Sequence, residues 1–200
     1  MPVPGSEFYF YHNLPWMAWN ASLALLPFLL ALLLFKNKIK INLFWIIGFF
    51  IYLVFLPNAP YILTDVVHLY TASLKTHSDK ILFITVWQYL LFLLIGCYLF
   101  GDAYARFEHF VIKRFKFFMR PVRLIIFLLM SIGVYLGRFS RLNSWQVFSD
   151  PMSVLEGIIK LVSLHAVVYV SLFTILLYLI YFLFEKLHQH THPHLHTHKK

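Results

Sequence analysis

The sequence predicts an all-α fold, a polytopic membrane helical bundle of about five transmembrane helices, with its N-terminus out and its C-terminus in. Three observations carry this. Of the 200 residues 60% are hydrophobic and only 12% are charged, about half the charged share usual in soluble domains. The mean hydropathy is +0.73, and the apolar residues come in blocks of membrane-spanning length rather than in short amphipathic stripes. The basic residues gather in the connections between those blocks, where membrane topology places them. A β-barrel needs short alternating strands, which the long Leu/Ile/Phe runs contradict. The net charge of +9 suits nucleic acid as a total, but its distribution makes nucleic acid no expected partner.

The elements follow in order. Residues 1–15, MPVPGSEFYFYHNLP, form an outer N-terminal arm with Glu7 and no Lys or Arg. They lack the positive region of a cleavable signal peptide, so the first span reads as an uncleaved anchor. Phe8, Tyr9, Phe10, Tyr11, Trp16 and Trp19 suit an interfacial aromatic belt. A single membrane domain covers 16–184, with spans at about 16–35, 42–56, 81–101, 122–138 and 161–184. Lys36, Lys38 and Lys40 follow the first span. Arg106, Lys113, Arg114, Lys116, Arg120 and Arg123 crowd the third connection, and Lys186, Lys199 and Lys200 follow the last. That side holds twelve of the seventeen Lys and Arg residues; Lys75, Lys80, Arg138, Arg141 and Lys160 are the five on the other. The excess marks the inner side. ARFEHFVIKRFKFFMRP reads as a basic inner loop, with a helix lying on the membrane surface as the alternative. Cys97 is the single cysteine and lies in an apolar block, so no intrachain disulfide forms.

Two apolar runs are short. Leu43 to Leu56 precedes Pro57, and Leu124 to Leu136 precedes Gly137 and Arg138. Each covers roughly 20 Å at 1.5 Å per residue, against a hydrocarbon core of about 30 Å. The polar residues behind each run are therefore expected at membrane depth, where irregular backbone lines sites; tilt and local bilayer thinning compete with that reading. In FLPNAPYILTDVVHL, Asn58 is an expected N-cap with Pro60 in the first turn. Tyr61, Asp65 and His68 then share a helix face. Asp65 and His68 can form an acid/base pair, supply two metal ligands, or tie two helices together. In SIGVYLGRFSRLNSWQVFSDP, Gly133 and Gly137 make a GxxxG step, more suited to packing within the chain than to dimerisation. Arg138 and Arg141 suit a carboxylate such as Asp65, a lipid phosphate or an anionic solute. Asn143, Ser144 and Trp145 add hydrogen bonding and an interfacial ring. Asp150-Pro151 reads as the N-cap and first turn of the last long helix.

These two motifs, with WMAWNASLALLPFLLALLL at 16–34, resemble the bacterial membrane-protein family called domain of unknown function 1361. The resemblance covers nearly all of residues 16–160. It implies a multi-pass protein of the bacterial cytoplasmic (inner) membrane, without an assigned activity. Many family members carry an acidic residue near the third-span WQY, here Gln88, and another after NSW, here Gln146; members also often have an extra N-terminal span. The missing carboxylates weaken an acid/base mechanism and leave Asp65 as the main acid on that side.

Residues 185–200 read as a His-rich cytoplasmic tail. His188, His190, His192, His194, His196 and His198 can chelate a transition metal, although Pro193 and the irregular spacing favour an unstructured polar tail. His165, inside the last span, suits an interhelical hydrogen bond. No cofactor motif is present. The expected partners are the lipid bilayer and an anionic lipid or small anionic solute, with the oligomeric state unspecified. The preferred reading is an outward-facing polar site, with Asn58, Tyr61, Asp65 and His68 on one wall and Arg138, Arg141, Asn143 and Trp145 on the other. Two other readings stay open: a membrane-embedded transferase or hydrolase using Asp65 or His68 as general base, and a structural or accessory subunit.

Overall fold

The computed structural model describes residues 7–36, 39–75, 78–116 and 118–191. Among them lie the helices α1 (Glu7–Leu34), α2 (Leu43–Phe55), α3 (Asn58–Tyr61), α4 (Val66–Lys75), α5 (Asp79–Phe115), α6 (Met119–Phe139), α7 (Gln146–Ser149), α8 (Pro151–Ile159) and α9 (Leu164–Thr191). Tight 3-10 turns cover Ile62–Asp65 and Lys160–Val162. Among the described residues five stretches are long and apolar enough to cross a membrane: Asn13–Leu34, Leu43–Leu74, Asp79–Phe115, Met119–Phe139 and Leu164–Leu187. Their outward surfaces carry exposed Leu, Ile and Phe, as at Leu29, Phe50, Leu91, Leu129 and Leu172, which a lipid solvent accepts at no cost.

The second span differs from expectation. The apolar run stops at Leu56, but the helical path continues. Leu56 keeps helical dihedrals, the Tyr61 N–H returns to Pro57 O at 3.0 Å, and α3, the 3-10 turn and α4 carry on to Lys75. Pro57 and Pro60 both sit where a new turn begins, where a missing N–H leaves no bond unmade. Asn58 is not the N-cap; Pro57 occupies that place, without a side-chain cap. Likewise α6 has 21 residues, about 32 Å, enough for the hydrocarbon core. What is short in both spans is the apolar stretch, not the helix. Asp65, His68 and Arg138 therefore lie inside membrane-crossing stretches, whereas Arg141, Asn143 and Ser144 follow the end of α6.

The third span also outruns its expected end. ARFEHFVIKRF is neither a loop nor a surface helix: it continues α5 to Phe115, where Lys116 closes the helix with φ of 50°. No proline interrupts that stretch, and Phe107 and Phe110 put an aromatic stripe against Phe35, both at 5.5 Å between ring centroids. Trp45 joins them at 5.8 Å from Phe110 and donates its indole N–H to Leu34 O, closing the bare end of α1. α1 and α5 run parallel. Trp16 meets Phe92, Phe28 meets Tyr98 and Phe35 meets Phe107 along their lengths.

The GxxxG step packs within the chain. A Cβ at Gly133 would fall 2.8 Å from Pro57 Cγ, and one at Gly137 would fall 3.1 Å from the Tyr61 ring. Two bare positions thus bring α6 against the bend between α2 and α3. On its other side α6 meets α9 through Phe127–Tyr178, through hydroxyls of Ser131 and Thr174 2.9 Å apart, and through Tyr135 OH at 3.5 Å from His165 Nδ1. Thr174 also bonds its own helix at Val170 O, 2.7 Å away.

Asp150 and Pro151 do start a helix, with the Asp150 carboxylate accepting from Ser153 N at 3.3 Å. That helix is the nine-residue α8, not the last long one. The chain breaks at Ser163, whose hydroxyl accepts from Ala166 N at 3.2 Å, and α9 begins afresh. Two expected boundaries shift: α1 starts at Glu7, inside the proposed arm, and α9 runs to Thr191, inside the proposed tail. His192, His194, His196 and His198 lie outside the described residues, as do the side chains of His188 and His190.

Candidate functional site

Where the second span bends, the 3-10 turn swings Asp65 inward between α1 and α6. A tight turn needs no side chain to form, and Thr64 braces this one by donating to Tyr61 O at 2.7 Å. Asp65 is only 1% exposed. A buried carboxylate needs partners, and three elements supply them. Asn20 of α1 donates its amide N–H to Asp65 Oδ2 at 3.0 Å, and Arg138 in the last turn of α6 stands 3.6 Å from Oδ1. His68, one turn along α4, is 4.0 Å from Oδ1.

Arg138 also reaches His68, with Nη1 at 3.3 Å from Nε2. A guanidinium only donates, so in this contact Nε2 is the acceptor. His68 therefore has its basic lone pair occupied, and Trp16 packs against its ring at 5.2 Å. A guanidinium this close to both would-be ligands repels a metal cation. Asp65, His68 and Arg138 act here as a tie between α6 and the second span, with Asn20 fastening α1 to it.

Beside this tie opens a cavity of about 340 Å³. Its polar lining is Asn20, Asn58, Tyr61, Arg141, Asn143 and Ser144; Leu23, Val54, Pro57, Leu136, Leu142, Val147 and Val154 supply its apolar walls. Asn58 donates to Phe55 O and to Ser144 Oγ, both at 2.9 Å, joining the bend to the segment after α6. Arg141 has φ of 55°, the left-handed region where a helix end ordinarily places glycine. The turn it makes lets Leu142 N return to Leu136 O at 3.2 Å. Gln146 Oε1 then accepts from Asn143 N at 2.6 Å and fixes the next turn. Among the described residues Arg141 meets no carboxylate and makes no hydrogen bond through its side chain. Trp19, at the cavity wall and 57% exposed, meets Trp145 edge-to-face at 6.2 Å.

The eight residues singled out by sequence thus fall into two groups. Asn58, Tyr61, Arg141 and Asn143 line the cavity; Asp65, His68 and Arg138 form the adjoining tie; Trp145 stands by Trp19. Asn20 belongs to both and was missed. Its signal was present, since it is an amide within the apolar first span WMAWNASLALL, and intramembrane polar groups mark sites by default. Outside the spans, Asp150 has its carboxyl held below the ordinary carboxylate range by hydrogen bonds from the Ser153 hydroxyl and then its N–H. That cap steadies α8, whose Gly157 lets Leu136 and Leu142 pack close behind the cavity.

No curated protein and no solved structure matches the chain. One family does, described as Protein of unknown function (DUF1361), over residues 19–180. The match takes in all five candidate spans at least in part, both motifs and every residue of the tie and the cavity, and on that extent the chain belongs to the DUF1361 family.

Proposed function

We propose that this membrane protein binds an anionic group, a lipid headgroup or a small anionic solute, in the cavity between α1, the bend of the second span and the segment after α6. The site faces outward, away from the side rich in Lys and Arg. One observation carries the reading: two arginines lie three residues apart, and only Arg138 is neutralised by a carboxylate. Arg141 keeps its charge free at a cavity wall and holds a backbone conformation unfavourable to any residue with a Cβ. Strain of this kind, of order 1–3 kcal/mol, is retained where the surroundings demand it and clusters at ligand sites. Catalysis finds less support, because the lone pair of His68 is held by Arg138 and the Asp65 carboxylate is enclosed by Asn20 and Arg138.

Native mass spectrometry of the purified protein tests this with phosphatidylglycerol, phosphatidic acid and zwitterionic phosphatidylethanolamine. The expected result is a preference for both anionic lipids over the zwitterion, lost in Arg141→Gly. Glycine suits φ of 55°, so that variant keeps the fold while removing the charge. Anionic adducts unchanged by Arg141→Gly would sink the proposal. Orientation has its own test: with Cys97 replaced by serine, a cysteine at position 143 should react with an impermeant thiol reagent from outside intact cells. Labelling only after lysis would reverse the topology.

A further inference from the structure

Charge and hydrogen-bonding capacity narrow the ligand beyond "anionic", resting on the reading above. With Asp65 cancelling Arg138, the cavity presents one net positive charge, that of Arg141. A single guanidinium balances a monoanion; a phosphate monoester, carrying close to two charges at neutral pH, would leave one charge without a counter-charge from the cavity.

The remaining polar groups ask for something an anion alone does not offer. Asn58 Nδ2 bonds Phe55 O, and Asn20 Nδ2 bonds the Asp65 carboxylate. Both partners only accept, so each amide turns its nitrogen to them and leaves its oxygen over as an acceptor. Neither oxygen has a hydrogen-bond donor among the described residues. Ser144 accepts from Asn58 and still has a proton to give, and Tyr61 adds a phenol to the lining. A ligand that satisfies all of these combines anionic oxygens with free hydroxyls that donate and accept. The apolar wall contributed by Leu23 of α1, Val54 of α2 and Leu136 of α6 belongs to helices of membrane-crossing length, and the exposed Trp19 on that wall suits headgroup depth.

We infer that the cavity recognises the headgroup of a polyol phosphodiester lipid, with the phosphodiester on Arg141 and the polyol hydroxyls among Asn20, Asn58, Asn143 and Ser144. The lipid inserts from the bilayer with its chains along the apolar wall, so the soluble headgroup alone binds weakly.

The experiment titrates the full-length protein in nanodiscs with phosphatidylglycerol against phosphatidic acid, and separately with soluble glycerophosphoglycerol. The expected result is about tenfold selectivity for phosphatidylglycerol, the equivalent of one or two lost hydrogen bonds. Asn143→Ala, at a side chain with only a weak 3.5 Å contact to Gln146, should lower phosphatidylglycerol binding severalfold without loss of thermal stability. Equal or stronger binding of phosphatidic acid overturns the polyol assignment while the anion site stands. Glycerophosphoglycerol binding as tightly as the lipid overturns the lipid source. Phosphatidylglycerol binding that survives Arg141→Gly overturns both this inference and the reading beneath it.

Discussion

Among the described residues two buried carboxylates, Glu108 and Asp65, pair with arginines of α6, and the two pairs are built differently. Both use α6, through Arg123 near its start and Arg138 at its end. Fifteen residues separate them, about 22 Å along the helix. At the first, Arg123 Nη2 lies 2.5 Å from Glu108 Oε1, Tyr181 donates to Oε2 at 2.7 Å, and the guanidinium sits 4.9 Å over the Tyr181 ring. Tyr104 and Phe127 pack around Tyr181 at 4.9 and 5.9 Å between ring centroids. At the second, Arg138 stands off at 3.6 Å, the shorter bond to Asp65 comes from a neutral amide, and a cavity opens alongside. The first pair is a closed lock joining α5, α6 and α9. The second is a looser tie, shared among Asn20, Arg138 and His68, and it fixes the charge of the neighbouring cavity. Closeness of pairing thus separates the enclosed pair from the pair that lies beside the candidate site.

The largest expected effect breaks the lock. Arg123→Ala leaves Glu108 buried without its counter-charge, which costs about 3–5 kcal/mol. Arg138→Ala should cost about half as much, since Asp65 keeps the Asn20 bond. Unfolding in a denaturing-detergent titration measures both. A larger loss for Arg138→Ala would end the distinction. Replacing the locked pair with apolar residues, Glu108→Leu with Arg123→Met, should recover most of the loss.

The next effect falls on the approach of α6 to the bend. Gly133→Leu drives a side chain into Pro57, and overpacking of this kind costs about 1–3 kcal/mol. Gly137→Ala meets the edge of the Tyr61 ring at 3.1 Å, a contact a small rotation relieves, and should cost less. Because Tyr61 and Pro57 line the cavity, Gly133→Leu should also weaken lipid binding. Unchanged binding with lowered stability would detach the packing seam from the site.

These contrasts explain what the sequence disclosed and what it withheld. The five spans, the pairing of NAPYILTD with GRFSR and the GxxxG contact were legible because apolar block length, Pro/Gly punctuation and intramembrane charge are local signals. The continuation of α2 past Pro57 was not, since an apolar count measures hydrophobic length and takes no account of a helix that carries polar residues inward. Glu108 sat in a segment read as a basic loop. What makes it buried is Tyr181, 73 positions later, and no spacing rule links the two. The assignment of Arg138 to Asp65, and of Arg141 to neither, depends on a single left-handed residue closing α6.

A smaller effect tests how far the tie governs the cavity. Asp65→Asn keeps the size of the side chain and its contact with Asn20 while leaving Arg138 uncompensated. The cavity then lies next to two positive charges instead of one. At an effective dielectric near 20, a charge several ångströms away acts with a strength of a few kcal/mol before screening. Phosphatidic acid should therefore gain on phosphatidylglycerol, by about severalfold once solvent and salt are allowed for. The corresponding Glu108→Gln change, at the far end of α6, should leave the lipid ratio where it was. A shift of equal size from both would mean that the cavity senses total charge and not the tie beside it.

The smallest effect lies outside the spans, where pH reaches a single cap. Asp150 is held below its ordinary carboxylate range by Ser153, so the folded state binds its proton less readily than the unfolded chain does. A depressed folded-state value means that the stabilisation is complete above the unfolded value, near 4, and fades as the pH falls from there through the folded value. Asp150→Asn keeps an acceptor at the cap but removes the titration. The wild-type protein should therefore lose thermal stability more steeply than Asp150→Asn over the acid limb below about pH 4, while the two coincide more nearly at neutral pH. Since α8 packs behind Leu136 and Leu142, phosphatidylglycerol binding by wild type should fall over the same limb, and Asp150→Asn should flatten that fall. Parallel acid limbs in the two proteins would show that the cap on α8 does not reach the cavity, leaving the tie at Asp65 as the one charged control beside it.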